Sequence, residues 1–335
     1  MIGTPQVLSE TPRASTDVLS DLLDSMHLSG VVLFQAEFRE PWSVTTPESC
    51  QLAQVLPFRT EHIIPFHIIA SGGCWLKMHE REPIWLREGG AVLLPYGDSH
   101  NLSGQETVTP VPIGGLLPTP PWNHMPVVEH GGSGLCTSIV CGFLQCDEVL
   151  FHPILRHLPI MMHVNPDSSR SENWLANTVL HAAREVSRPL PGSRSVLPRL
   201  AELMFVEILR KHMQDLSPDE IGWFAAFNDP IAGACLRCLH SAPLHNWSVE
   251  GLAREVGVSR TVLTERFKYF MDQPPIQYLA HWRLRLAGQA LKSSDLPIKA
   301  IADHSGYESE AAFSRAFKRH FGLPPGDWRR RQTQT

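Results

Sequence analysis

The sequence predicts an α+β multidomain protein: an N-terminal β-barrel, a helical linker, and an all-α C-terminal domain with two helix-turn-helix units. Three observations predict it. Short β-rich runs broken by Gly/Pro turns fill residues 31–147. After Pro153 the apolar spacing becomes helical. A pattern near residue 250 then recurs about fifty residues later. The chain has 335 residues, 43% hydrophobic and 19% charged, which suits two or three packed domains and argues against long disorder. No apolar run approaches the roughly 20 residues of a membrane-spanning helix. Met1 to Arg13 lacks a basic-then-apolar leader. Seven cysteines, an odd number spread along the chain, do not read as a disulfide framework and fit a reducing cytoplasm. Membrane, secreted-scaffold and fibrous classes are thereby excluded.

The elements follow in order. Asp17 to Leu28 places Val18, Leu19, Leu22, Leu23 and Met26 on one helical stripe, with Thr16 or Asp17 as N-cap and Gly30 as terminator. The runs VVLFQAEF, HIIPFHIIA, CWLKMHE, PIWLRE, AVLLP and TSIVCGFL then read as strands of a sandwich or barrel. Glu172–Ser187 and Val196–Met213 form an antiparallel helix pair around a Pro189–Ser193 turn. Leu200, Leu203, Met204, Val206 and Leu209 make a broad apolar face, for burial against the barrel or for a homodimer. The resulting division is 1–165, 166–221 and 222–335.

Charge separates along the chain. From Asn228 to Thr335 there are 15 basic and 10 acidic side chains, a balance of +5, within a protein of net −5. A basic C-terminal third on an acidic chain points to a polyanion partner for that third, or to a solvated basic face.

The duplication there is the most informative feature. Leu252-Ala253, Gly257, Ser259, Leu263 and Phe267-Lys268 recur as Ile301-Ala302, Gly306, Ser309, Phe313 and Phe317-Lys318. Each copy is a short helix, a Gly turn that tolerates positive φ, and a second helix whose apolar residues sit four apart. Ser248 suits the N-cap of the first helix, and Pro297 suits the first turn of its equivalent. Ile276, Leu279, Trp282, Leu286 and Ala290 step along one linking helix. The outward face of copy one then carries Arg260, Thr261, Thr264, Glu265 and Lys268; that of copy two carries Glu310, Ala311, Ser314, Arg315 and Lys318. A helix entering the major groove of double-stranded DNA needs such donors near its N-terminal half, and arginine bonds guanine bidentately. Arg283, Arg285, Lys292, Lys299, Arg319 and Arg329 to Arg331 are placed for phosphates or solvent.

WSVEGLAREVGVSRTVLTERFK, PIQYLAHWRLRLAGQAL and LPIKAIADHSGYESEAAFSRAFKRHFGLPP closely resemble the AraC/XylS-type DNA-binding domain. The resemblance implies recognition helices starting near Ser259 and Ser309, and a base contact at Arg315. Copy-one contacts fall on Thr261, Thr264 and Glu265. Asp272 stands where the family usually has glycine. PFHIIASGGCWLKM, GGAVLLPYGDSHNL, EHGGSG and TSIVCGFLQCD resemble, more loosely, the cupin-type sensor domain of one AraC subgroup.

Gly89, Pro95, Gly97 and His100 match most of the second cupin motif, but the first motif's His-x-His is missing; only His62 and His67 are near. The metal triad of cupin oxygenases is therefore absent in its usual form, and an enzyme is not expected. A different site, for zinc or iron or for an effector, would use His67, Cys74, His100, His130 and Cys141, with His67 and Cys74 drawn together by a hairpin at Ser71-Gly72-Gly73. Packing alone also accounts for buried Cys and His. Cys136, Cys141 and Cys146, and Cys235 with Cys238, raise thiol-redox sensing, although residues five apart on a strand face opposite ways. Trp75, Trp85, Tyr96 and Trp122 either line an apolar effector pocket or pack the barrel. The expectation is a cytoplasmic DNA-binding transcription regulator that senses a small molecule or metal. RNA polymerase is a partner if it activates.

Overall fold

The computed structural model describes residues 17–25, 29–51, 63–105, 108–119, 122, 125–145, 158–165, 178, 181, 184–185, 190–217 and 220–333. The chain forms two compact units.

The first unit is built on two facing sheets. Its strands are β1 (Ser29–Arg39), β2 (Ser43–Thr46), β3 (Ile63–Ser71), β4 (Gly73–Met78), β5 (Ile84–Arg87), β6 (Ala91–Leu93), β7 (His100–Ser103), β8 (Val111–Pro112), β9 (Val127–Gly131), β10 (Cys136–Gln145) and β11 (Met162–Val164). One sheet has the order β11-β6-β3-β10-β1-β9 and the other β5-β4-β7-β2-β8. Alternation decides what faces inward. Phe34, Ala36 and Phe38 on β1, and Ile139, Cys141 and Phe143 on β10, all enter one core, with Val44, Cys74, Leu76, Leu86 and Leu102 from the opposite sheet.

Two sequence expectations are corrected here. Gly30 does not end a helix; it lies in β1. A Cβ there would come within 2.5 Å of the Pro198 carbonyl, so glycine is needed for close approach of the helix Ser193–Asp215. The Ser71–Gly73 turn does not make a hairpin, because β3 and β4 belong to opposite sheets. Gly72, at φ 78°, turns the chain across the corner. His67 and Cys74 therefore lie on strands of facing sheets.

Helices are numbered in chain order, with α1 Val18–Ser25 and α2 Ser193–Asp215. In α2, Leu197, Ala201, Met204, Phe205, Ile208 and Leu209 are buried, and the helix packs on β1. This is burial against the barrel, with Leu203 left 41% exposed. The expected partner helix over 172–187 lies largely outside the described residues; within it, Thr178, His181, Arg184 and Glu185 are helical.

The second unit is helical. It contains α1, capped by Asp17 accepting from the Ser20 amide, and α3 to α10. These are α3 (Trp223–Asn228), α4 (Pro230–Ser241), α5 (Val249–Val256), α6 (Arg260–Met271), α7 (Pro275–Ser293), α8 (Ile298–His304), α9 (Glu310–Phe321) and α10 (Pro325–Thr333). Val18 and Leu19 are buried, and α1 packs on α4. The units thus differ from the sequence division: α2, from 166–221, joins the barrel, and α1, from 1–165, joins the helices.

The duplicated text yields duplicated structure. Ser248, Ser259 and Ser309 each accept a backbone amide at their helix N-termini. Gly257 and Gly306 take φ of 78° and 75° at the two turns. Asp272 ends α6 in the left-handed region at φ 53°, at the position where Gly322 ends α9 at φ 77°. Leu263 and Phe267 on α6, and Phe313 and Phe317 on α9, are fully buried, each contributing about 2–3 kcal/mol. Below α6, Trp223 donates to the Tyr278 hydroxyl at 3.1 Å, and that hydroxyl lies 2.8 Å from His240 Nε2. Burial pushes the His240 pKa down to about 3, so the ring is neutral. Among the described residues, no helix is long and apolar enough to cross a membrane.

Candidate functional site

The helical unit presents its candidate DNA face on α6 and α9. Packing of Leu263, Phe267 and Phe270 fixes the inner side of α6 and turns Arg260, Thr261, Glu265 and Lys268 fully outward, with Thr264 half-buried. On α9 the same logic exposes Ala311, Arg315 and Lys318 and leaves Ser314 half-buried. Two side chains have prior attachments. Arg260 pairs with Glu250 across the turn from α5. Arg266, beside the outward face, bonds Asp229, which itself caps α4.

Several basic residues bond groups of the protein itself. Arg283 donates to the carbonyls of Pro243 at 2.6 Å and His245 at 2.8 Å. It also lies against Gly306, where a Cβ would stand 3.0 Å from its guanidinium. This one side chain therefore links the loop after α4 to the turn of copy two. Arg329 likewise donates to Leu291 and Leu296 carbonyls, and Arg330 pairs with Asp327.

In the barrel, β3 and β10 pair His67 directly with Cys141, and β7 brings His100 from the opposite sheet. Cys141 Sγ lies 3.2 Å from His67 Nδ1, His67 Nε2 lies 2.7 Å from His100 Nε2, and His100 Nδ1 lies 2.9 Å from the Asp98 carbonyl. The carbonyl can only accept, so His100 Nδ1 carries a hydrogen. A neutral His100 then accepts at Nε2. His67 therefore donates from Nε2 and accepts at Nδ1 from the Cys141 thiol. Burial keeps every member neutral: it lowers His100 to about 4, holds His67 well below its usual value with help from His100, and raises the Cys141 thiol. Cys74, on the facing sheet, is raised to about 12 by burial.

The arrangement is a linear chain of hydrogen bonds. His67 spends its two nitrogens on Cys141 and His100, which leaves neither free in this arrangement. Among the described residues, no three His, Cys, Asp or Glu side chains are grouped to hold a metal ion. His130 stands apart. It packs edge-on against Phe38, its partner on β1, four positions from the Phe34 that pairs with Cys141, roughly 13 Å along the strand.

His67 and Cys141 also form part of the wall of a cavity of about 450 Å³, including its mouth. Phe34, Ile63, Pro65, Ile113, Leu117 and Phe143 supply apolar walls, and Thr46 a hydroxyl. The aromatic residues expected there lie elsewhere. Trp75 and Trp85 meet edge to face at 5.1 Å with Trp75 39% exposed, Tyr96 bonds the Leu158 carbonyl, and Trp122 packs beside the core. The period-2 pattern of β1 and β10 carried the missed signal for Phe34 and Phe143.

Comparison with known proteins settles the family. The cupin family profile matches residues 17–214, and a helix-turn-helix domain profile matches residues 252–331. An AraC-like transcription regulator of Streptomyces lividans is 32% identical over 279 residues, spanning 82% of this chain and 90% of that protein. The chain belongs to the AraC-like transcription regulators. The HTH-type transcriptional regulator AlkR of Acinetobacter baylyi is 28% identical across 93% of this chain and 99% of its own length. The RCS-specific HTH-type transcriptional activator RclR of Escherichia coli is 27% identical, over 81% of this chain and 86% of its own length.

As an AraC-like regulator, the protein is a DNA-binding transcription regulator and not an enzyme. The cupin match extends to residue 214 and so takes in α2, consistent with the packing of that helix on β1.

The surroundings of two of the candidate redox thiols hold them protonated. Cys136 is raised by burial and by its bond to Glu37, and Cys235 is raised to about 12. A thiol held up in this way carries little thiolate for an oxidant to attack. Cys146 lies outside the described residues.

Proposed function

We propose that an apolar, uncharged effector enters the barrel cavity and biases two DNA-binding arrangements of this regulator. The observation that carries the reading is the cavity wall. Its lining has no charged side chain, and the His67 and His100 nitrogens beside it are already used by the chain from Cys141 to Asp98. A carboxylate or ammonium ligand would be desolvated there without a counter-charge. In this reading residues 1–165 sense, 166–221 couple the signal or dimerise, and 222–335 bind DNA in the cytoplasm. Arg260, Thr261, Thr264, Glu265, Lys268, Ala311, Ser314, Arg315 and Lys318 form the contact set. RNA polymerase is the further partner where the protein activates.

The test is a footprint and a reporter-transcription assay with full-length protein, using hydrocarbons, their alcohols and the matching carboxylates. A neutral compound should change both signals, and Leu117→Trp, which fills the cavity, should abolish the change but keep the unliganded footprint. Identical footprints and transcription with every compound would sink the sensing reading.

A further inference from the structure

We propose that the two recognition helices read opposite members of G·C base pairs: Glu265 accepts from a cytosine amino group, and Arg315 donates to a guanine. The inference rests on the reading that α6 and α9 enter the major groove.

The internal duplication supplies the comparison. Glu265 and Arg315 are each the sixth residue after an N-cap serine, Ser259 and Ser309, which bond their helices at 3.3 and 3.2 Å. They therefore occupy the same place on two equivalent helices, with opposite charge. Both are exposed, and among the described residues neither forms a salt bridge. The arginines near Glu265 are engaged: Arg260 by Glu250 and Arg266 by Asp229. Glu265 thus presents a bare carboxylate beside the exposed Lys268 and the hydroxyls of Thr261 and Thr264. Arg315 stands beside the small Ala311 and Ser314, which leave its fork unobstructed.

A carboxylate facing DNA is repelled by the phosphates unless it meets a donor. The major groove offers two kinds, the N4 amino group of cytosine and the N6 amino group of adenine. Adenine places its N7 acceptor next to N6, where it opposes the second carboxylate oxygen. Cytosine has no such neighbour, so Glu265 selects cytosine. At the equivalent position Arg315 meets the paired acceptors O6 and N7 of guanine. The linking helix α7 has 19 residues. Its length of about 28 Å is close to the roughly 34 Å of one turn of DNA. Joined by this one helix, the two units are placed to read separate parts of one site.

The experiment is selection of binding sites from a random duplex library at one fixed salt concentration. Full-length wild type is compared with Glu265→Gln, Glu265→Ala and Arg315→Ala. Wild type should enrich a C in one half of its site and a G in the other. Glu265→Gln should move the C preference to A, and Glu265→Ala should lower it about ten-fold. The G preference should persist in both variants, which also reports that they are folded, and only Arg315→Ala should relax it. Unchanged base preferences in the Glu265 variants, with uniformly tighter binding, would overturn the proposal by reducing Glu265 to a repulsive charge. If wild type enriches no sequence, the groove-reading assignment fails and this inference fails with it.

Discussion

His67 Nε2 and His100 Nε2 lie 2.7 Å apart, a hydrogen bond that crosses from one sheet of the barrel to the other. Either histidine alone is an ordinary core residue. Together they connect the Cys141 thiol to the Asp98 carbonyl with one donor at each step. Removing one member leaves its partner buried and unsatisfied, which costs about 1–3 kcal/mol for the polar group, with a further cavity term. His67→Leu and His100→Leu should each destabilise the protein by about 2–4 kcal/mol. The double variant should cost less than their sum, with a coupling of about 1 kcal/mol measured by urea unfolding. Strict additivity would show that the bond contributes nothing.

The same burial sets a pH dependence. His100 is held near 4 in the folded chain, and His67 well below its usual value. Their unfolded values are about 6.5. Above that pH both states are neutral and stability is at its plateau. Between about 6.5 and 4 the unfolded chain binds more protons, so stability falls by up to roughly 1.4 kcal/mol per pH unit for each histidine. Urea midpoints should drop between pH 7.5 and pH 5, and the drop should shrink in the double leucine variant. His240, near 3, adds the same trend from the helical unit.

Thiol accessibility provides an independent check. Cys50 is exposed, whereas Cys74 and Cys141 are buried with raised pKa values. An aromatic disulfide reagent at pH 7.5 should modify Cys50 quickly, and Cys74 and Cys141 only as fast as the barrel opens. Rapid labelling of Cys141 in the folded protein would restore the thiol-sensing alternative.

Arg283 and Lys318 offer a test that separates structural charge from the proposed DNA-facing charge. Arg283 donates to two carbonyls, while Lys318 is exposed on α9. Arg283→Gln should lower the unfolding midpoint, equivalent to about 1–3 kcal/mol. It should leave unchanged the slope of log binding constant against log salt. Lys318→Ala should do the reverse, reducing that slope by about 1. A smaller slope for Arg283→Gln at unchanged stability would return that residue to the phosphate-contact set.

Local rules carried the C-terminal third into view. Serine caps, glycines at positive φ and apolar residues four apart act within one or two turns, so Ser259, Gly257, Leu263 and Phe267 announce their roles in the text alone. The repeat then doubled each of those signals, and Asp272 could be matched to Gly322 by position. The barrel strands were legible for the same reason, through period-2 alternation. What escaped was pairing. Sequence neighbours Ser71 to Gly73 read as a hairpin, yet the chain crosses to the other sheet there. His130 sits on a strand beside β1 but is displaced along it from His67 and Cys141.

The sequence by itself determined that this protein is a β-barrel joined to a duplicated helix-turn-helix, and it placed the outward faces of both recognition helices. These depend on spacing along one segment, which the order of residues states directly. Only the tertiary structure decided that His67, His100 and Cys141 form one hydrogen-bonded chain. It alone assigned Arg283 to the fold and the cavity to Phe34 and Phe143. Each of those outcomes depends on strand register or on contacts between segments far apart in the chain. A shift of one residue in register would turn His67 to the other face of its sheet without altering a letter of the text.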